Sequence, residues 1–258
     1  MMTPSKKLLL LAVLALLAAC TETPKVNPSP AAQDQPAEPA NPAFEKKISE
    51  GIDFIGLGNE PFWGLDIDFE KTMQFSTPDG GLVSAPAVMA KKAQDGALIY
   101  ESQAEGNTLK VTVRKEDCSD GMSDNRYDYS ITAVVNGKQY KGCGKYLAAS
   151  PGSYWTLQSM NGKPAGESTF PTGRFPVLQI STKESRYAGS DGCNNILGKA
   201  TVTGNSIKLE PGISTMMACP DDGHEEYGKA LYAVTEFKIE NRQLTLSAGG
   251  KPVLVYGL

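Results

Sequence analysis

Three groups of side chains in this 258-residue chain have the types and spacing to do chemistry. Cys20, the last residue of Leu17-Ala18-Ala19-Cys20, is a thiol placed directly behind small residues that follow an apolar run. Glu60 stands beside Phe62 and Trp63 in Gly58-Asn59-Glu60-Pro61-Phe62-Trp63, so one carboxylate and two large aromatics can wall a small-molecule or peptide site. The same residues also suit a rigid turn whose aromatics plug the end of a β domain while Glu60 pairs with backbone or arginine. His224, the sole histidine, sits among Asp221, Asp222, Glu225 and Glu226. A general base needs a nucleophile and an orienting group, and no Gly-x-Ser-x-Gly is present, so the stretch reads as a solvated helix start and the chain as a non-enzyme. A divalent metal there, or copper on Met216 and Met217, is the lesser alternative; no cofactor and no metal site are expected.

Two further motifs dissolve on inspection. Gly56-Leu57-Gly58 lacks a third glycine at position 61, where Pro61 stands, and a strand rather than a helix is expected next. The loop Asp117-Cys118-Ser119-Asp120-Gly121-Met122-Ser123-Asp124 is rich in oxygen ligands. It lacks the alternating ligands and closing Glu of a calcium loop and reads as an ordinary turn.

The elements that must position these groups begin with an address. Lys6 and Lys7 precede a ten-residue uncharged run, Leu8 to Leu17, which has the layout of a secretory signal and is too short to span a bilayer. Residues 1–19 are therefore expected to be removed. Residues 20–47 follow as a tether with prolines at 24, 28, 30, 36, 39 and 42 and little to bury, expected to be disordered or semi-extended. Loss of Lys6 and Lys7 from the 25 basic side chains leaves 23 against 29 acidic ones, a net charge of −6. Such a balance excludes nucleic acid as a natural partner.

Export implies an oxidising compartment. With Cys20 set aside, Cys118 and Cys143 fall in the first half, Cys193 and Cys219 in the second. If the halves fold separately, only Cys118–Cys143 and Cys193–Cys219 keep each bond within one domain. Each closes a loop of roughly 26 residues, contributing about 3.5 kcal/mol in the chain-entropy view.

Apolar alternation with period two marks strands in Leu65 to Phe69, Leu109 to Val113 and Tyr127 to Val135, with Asn136-Gly137 as a hairpin turn. After a small-residue joint, Leu147 to Ser153, strand-like runs recur at Val177 to Ile180, Lys199 to Thr203, Ile207 to Leu209, Phe237 to Ile239, Leu244 to Leu246 and Val253 to Tyr256. One helix is expected after Cys219-Pro220, capped by Asp221 or Asp222, with Tyr227, Leu231 and Val234 on one face. The fold class is therefore mainly β: two small antiparallel barrel- or sandwich-like domains, 48–150 and 151–258, the second with one packed helix.

Three resemblances sharpen this reading. Leu17-Ala18-Ala19-Cys20 resembles the bacterial lipobox, which implies acylation of Cys20, and Thr21 favours the outer membrane. Gly58-Asn59-Glu60-Pro61-Phe62-Trp63, with Cys118 to Asp124 and Gly142-Cys143-Gly144, resembles an uncharacterised family of envelope lipoproteins for which no activity is known. Gly189-Ser190-Asp191-Gly192-Cys193-Asn194-Asn195-Ile196-Leu197-Gly198, Ser214 to Pro220, Trp155-Thr156-Leu157 and Pro252 to Tyr256 look like the META domain, also called HslJ-like, over residues 153–258. That resemblance implies a small β-rich envelope or secreted module tied to stress, antibiotic tolerance and virulence.

The expectation for function is a non-catalytic envelope lipoprotein, facing the periplasm from the outer membrane, whose partner is an envelope protein or a small ligand. A lipid-anchored inhibitor of a hydrolase such as lysozyme, or a small-ligand or metal carrier, is the alternative. Cys20→Ser is expected to abolish palmitate labelling and to release the protein from the outer-membrane fraction, or stall its processing, because several acyl chains hold far better than none. A fully processed variant that still fractionates with the outer membrane would refute anchoring through Cys20.

Overall fold

Strict alternation of buried and half-exposed side chains from Tyr127 to Val135 shows how the first half is built. Tyr129, Ile131 and Ala133 point inward, and their neighbours face out. In this computed structural model, residues 41–122, 125–220 and 222–258 are described; Cys20, the leader and most of the tether lie outside them.

The end of the tether differs from expectation. Residues 42–47 belong to α1 (Pro42–Ser49), because Asn41 accepts the Ala43 N–H at 3.0 Å, Pro42 occupies the first turn, and Lys46 and Lys47 suit the C-terminal end. Lys47 fastens the helix to Asp66, 2.6 Å from Oδ1.

The first sheet comprises β1 (Phe54–Asn59), β2 (Phe62–Asp68), β3 (Thr72–Ser76), β4 (Leu82–Pro86), β5 (Lys91–Lys92), β6 (Leu98–Ala104), β7 (Asn107–Cys118), β8 (Tyr127–Val135) and β9 (Lys138–Tyr146). All pairings are antiparallel, in the order β4-β3-β2-β1-β9-β8-β7-β6-β5. The sheet curls until its two ends meet, where Ser102 donates to the carbonyl of Pro86 at 2.7 Å. Asn136 and Gly137 both adopt positive φ, at 50° and 82°, giving the expected β8–β9 hairpin.

The second sheet comprises β10 (Trp155–Met160), β11 (Lys163–Pro164), β12 (Val177–Ser181), β13 (Arg186–Ser190), β14 (Asn195–Thr203), β15 (Ser206–Ser214), β16 (Glu236–Glu240), β17 (Gln243–Ala248) and β18 (Lys251–Gly257). Pairing of β10 with both β12 and β18 closes these strands into a ring, with β11 as an outer flap. The weak seam lies between β15 and β16, which share one register pair, Ser206 with Glu236. Before β16 comes α2 (Gly223–Tyr232), which packs on β15 and β18 and sends Tyr227 and Leu231, both fully buried, into the core. Tyr227 and Tyr256 join hydroxyls at 3.0 Å. Tyr227 and Leu231 of the expected helix face are thus present, whereas Val234 is buried just past the end of the helix, and Asp222 makes no side-chain capping bond.

Each half holds one disulfide, Cys118–Cys143 and Cys193–Cys219, with Cα separations of 5.5 and 5.9 Å. The joint between halves is hydrogen-bonded on both sides. Leu147 and Ala148 donate to the carbonyl of Asp53, while Ile180 donates to that of Pro151 and Trp155 to that of Ser150. Glu70 Oε2 accepts from Thr182 Oγ1 at 2.9 Å and from Lys183 N at 3.1 Å, and Arg242 meets Asp128 at 3.1 Å.

Asp53, 8% exposed, sits at this joint and accepts the Phe69 N–H at 2.9 Å. Burial raises its pKa to about 6, against the lowering effect of that hydrogen bond, and the Asp68 charge adds to the rise. Between about pH 4 and 6 the folded chain therefore keeps a proton that the unfolded chain has lost. The stability contributed by Asp53 falls as pH rises through that window and is level on either side. Asp53→Asn is expected to remove this decline, seen as a flatter pH dependence of denaturant midpoints from pH 4 to 6; an unchanged profile would show that Asp53 is not its source.

Candidate functional site

Glu60, Phe62 and Trp63 do not face one space. Glu60 and Pro61 form the tip of the β1–β2 hairpin, joined by a cis peptide bond, and Glu60 is exposed. Phe62 is 54% exposed, whereas Trp63, next along β2, is 4% exposed and points into the core. The indole lies against Phe75, ring centroids 5.6 Å apart, and donates from Nε1 to the carbonyl of Lys141 at 3.1 Å. Gly58 and Gly142 make room for this packing. A Cβ on Gly58 would stand 2.1 Å from the indole nitrogen, and one on Gly142 would stand 1.9 Å from the Leu57 carbonyl oxygen. The glycines and tryptophan of the first-half motif are thus a packing set.

The acidic loop after β7 is a pair of local turns, in which Ser119 accepts the Gly121 N–H and Asp120 the Met122 N–H. Ser123 and Asp124 lie outside the described residues, as does Asp221 near His224. His224 is half-buried in the first turn of α2. Among the described residues, no group of three or more His, Cys, Asp or Glu is arranged to hold a metal ion. Met216 and Met217 are 98% and 49% exposed on the loop after β15.

The space with the makings of a site lies elsewhere, between the outer face of β12–β15 and the β5 edge of the first sheet. It is a cleft of about 1220 Å³, above the roughly 300–1,000 Å³ usual for small-molecule pockets. Its floor can be read from the strand register. Gln179 pairs with Ala188, Ala188 with Leu197, and Leu197 with Ile213, so these four side chains form one row across the sheet. Ile213 ends the row 76% exposed. Two residues along, Ser190 pairs with Asn195, whose N–H is donated to Thr215 Oγ1 at 3.0 Å, giving a parallel row of hydroxyl and amide groups. Lys91 and Lys92 of β5 and Arg174, ahead of β12, supply the charged lining. Tyr154 adds an aromatic wall with a neutral hydroxyl, its pKa raised by burial.

A clamp holds the far side of the cleft. Asp191 Oδ1 accepts the N–H groups of Cys193 at 2.9 Å and Asn194 at 2.6 Å. Asn194, 7% exposed, then accepts Thr215 Oγ1–H at 3.0 Å and Met217 N–H at 2.8 Å through its own Oδ1. Cys193–Cys219 closes the same loop. Ser-Asp-Gly-Cys-Asn-Asn is therefore a device for seating residues 215–217 beside the apolar row.

Residues 147–257 match the META domain family. This META region begins in the joint itself, six residues before the expected Ser153, and contains every strand of the closed ring. Among curated proteins nothing matches the chain. Two solved structures share similarity with it. One is a protein determined by NMR, 21% identical over 43% of this chain and 95% of its own, with a TM-score of 0.34. The other is a DUF4847 family protein from Bacteroides vulgatus ATCC 8482, 14% identical over 41% of this chain and 91% of its own, with a TM-score of 0.32.

The cleft residues of the META region escaped sequence reasoning except as parts of its motif; the available signal was an apolar residue, Leu197 or Ile213, facing outward on a strand whose other face is already apolar. For the first half, Trp63→Ala is expected to lower stability by about 3–5 kcal/mol, the cost of emptying a core aromatic. Phe62→Ala is expected to change it by less than about 0.5 kcal/mol. Denaturant melts of the two variants check this, and equal effects would mean that the indole is not a core anchor.

Proposed function

We propose that this chain is a non-catalytic cell-envelope lipoprotein, anchored through Cys20 to the outer membrane and facing the periplasm, whose cleft between the two sheets binds an envelope component. The observation that carries the reading is the cleft lining, an apolar row and a hydroxyl row on the META side and lysines on the other. Its titratable side chains are Lys91, Lys92, Arg174 and Tyr154, and Cys193 is held in a disulfide. General acid–base work near neutral pH needs a histidine or a tuned carboxylate, and the lining offers neither. Binding is what such a surface does. The META match supports a role in stress or antibiotic tolerance, in which the tether would let the cleft work away from the bilayer.

A second reading, inhibition of an attacking hydrolase such as lysozyme, draws on a different place. Phe62 and Met122, 54% and 70% exposed, lie on the hairpin tip and the loop beside it, where Asn59 donates to the carbonyl of Asp120. Photocrosslinking of the lipidated protein in its native envelope separates the two. Ala188→Trp, which fills the cleft from its outer face, is expected to reduce specific capture at least tenfold with an unchanged thermal midpoint, while Phe62→Ala leaves capture intact. The reverse pattern would discard the cleft in favour of the tip.

A further inference from the structure

We infer that the cleft takes an anionic amphiphile, a molecule with a carboxylate or phosphate head and an apolar tail; this rests on the cleft being the binding site. Charge is the first ground. The chain as a whole is acidic, with 29 Asp and Glu against 25 Lys and Arg, yet Lys91, Lys92 and Arg174 line the cleft and no carboxylate does. Several cations elsewhere are matched: Lys47 with Asp66, Lys71 with Asp68, Arg114 with Asp95 and Arg242 with Asp128. Asp95, between the lining residues Gln94 and Gly96, is paired with Arg114. Among the described residues, no carboxylate pairs with Lys91, Lys92 or Arg174. Cations lining a concave surface focus an attraction for anions that a flat surface would lose to solvent.

The apolar row is the second ground. An exterior strand face is ordinarily polar, because the barrel side of each strand already takes the apolar residues. Here Ala188, Leu197 and Ile213 continue across three strands, and the clamp holds Met217 beside them. Burial of a tail on that row would take apolar surface of both partners out of water, and methionine adapts to tails of varied shape. A bare inorganic anion would leave the row unused. A nucleic acid would need a longer basic track than three residues provide. Head on the cations and tail on the row is the arrangement that uses both.

The test uses the full chain carrying Cys20→Ser, in detergent-free buffer. Four probes are titrated by calorimetry: dodecanoate below its micelle concentration, dodecanol, inorganic phosphate, and vesicles of phosphatidylglycerol or phosphatidylcholine. Dodecanoate is expected to bind at least tenfold more tightly than dodecanol or phosphate. The triple variant Lys91→Gln, Lys92→Gln, Arg174→Gln should erase that preference, and Leu197→Asp should erase binding; all three cations are exposed, so the triple variant is expected to keep the wild-type melting temperature. Equal binding of dodecanol and dodecanoate, binding of phosphate alone, or equal binding to phosphatidylglycerol and phosphatidylcholine vesicles would each overturn the inference. If dodecanoate fails while Ala188→Trp still abolishes envelope capture, the ligand class is wrong and the cleft stands; if Ala188→Trp leaves capture unchanged, the cleft itself is wrong.

Discussion

The side-chain amide of Gln179 holds the architecture of the cleft together. Its Oε1 accepts the N–H of Ala90 at 2.8 Å, and its Nε2 donates to the carbonyl of Gly152 at 3.1 Å. One amide, 4% exposed, thus satisfies a donor from the first sheet and an acceptor from the joint while standing on a strand of the second. An amide this buried is tolerated only when its polar atoms find partners, and loss of either bond would leave one stranded. Ala90 immediately precedes Lys91 and Lys92, so the bond that satisfies Gln179 also fixes the cationic wall opposite the outer face of β12. Gln179 is also the first member of the row that runs through Ala188 and Leu197 to Ile213. Wall and floor are tied at one residue.

What was legible in the sequence, and what was not, divides along the same line. Period-two alternation revealed β8 because its inward residues are all large or apolar and its outward ones mostly polar, and Asn136-Gly137 announced its hairpin through the need for two positive φ values. The helix face of Tyr227 and Leu231 was readable for the equivalent reason at the helical period, while Val234, past the last turn, is buried without being helical. By contrast β13, Arg-Tyr-Ala-Gly-Ser, passed unnoticed: it offers one large apolar side chain, Tyr187, and its Gly189 is forced by close approach to Val177. The ends of β14 and β15 that floor the cleft were hidden as well, since residues facing a cleft need not be polar and so blur the alternation. β5 is two lysines long, too short for any pattern. The parts that defeat pattern reading are those that line the candidate site.

The first-half motif teaches the converse. Glu60, Phe62 and Trp63 are close in sequence, but neighbouring residues of a strand face opposite ways, so the cluster became one core residue, Trp63, and two exposed ones. Trp63 draws Gly58 and Gly142 into its packing, and the motif's distinctiveness reflects how little space the indole leaves between three strands. Distinctive residues marked a structural constraint here. In the META region they also did, since Asp191 and Asn194 spend their hydrogen bonds on backbone and on Thr215. The difference is that their constraint supports an open surface.

That difference follows from where the ring is weakest. β15 shares a single register pair with β16, so beyond Ser206 it has β14 on one side and no strand on the other. A strand held along one edge tends to fray at its end, and Pro211 and Gly212 in this one favour bending rather than pairing. The last residues of β15 keep their place because Thr215 N–H is donated to the carbonyl of Asn195, Asn194 collects Thr215 and Met217, and Cys219 is tied to Cys193. Side-chain bonds and a disulfide do here what a neighbouring strand would otherwise do. A neighbouring strand on that flank would crowd Ile213 and the methionine loop. By anchoring β15 through its end rather than its edge, the fold keeps Ile213 at the rim of the cleft and leaves the apolar row open.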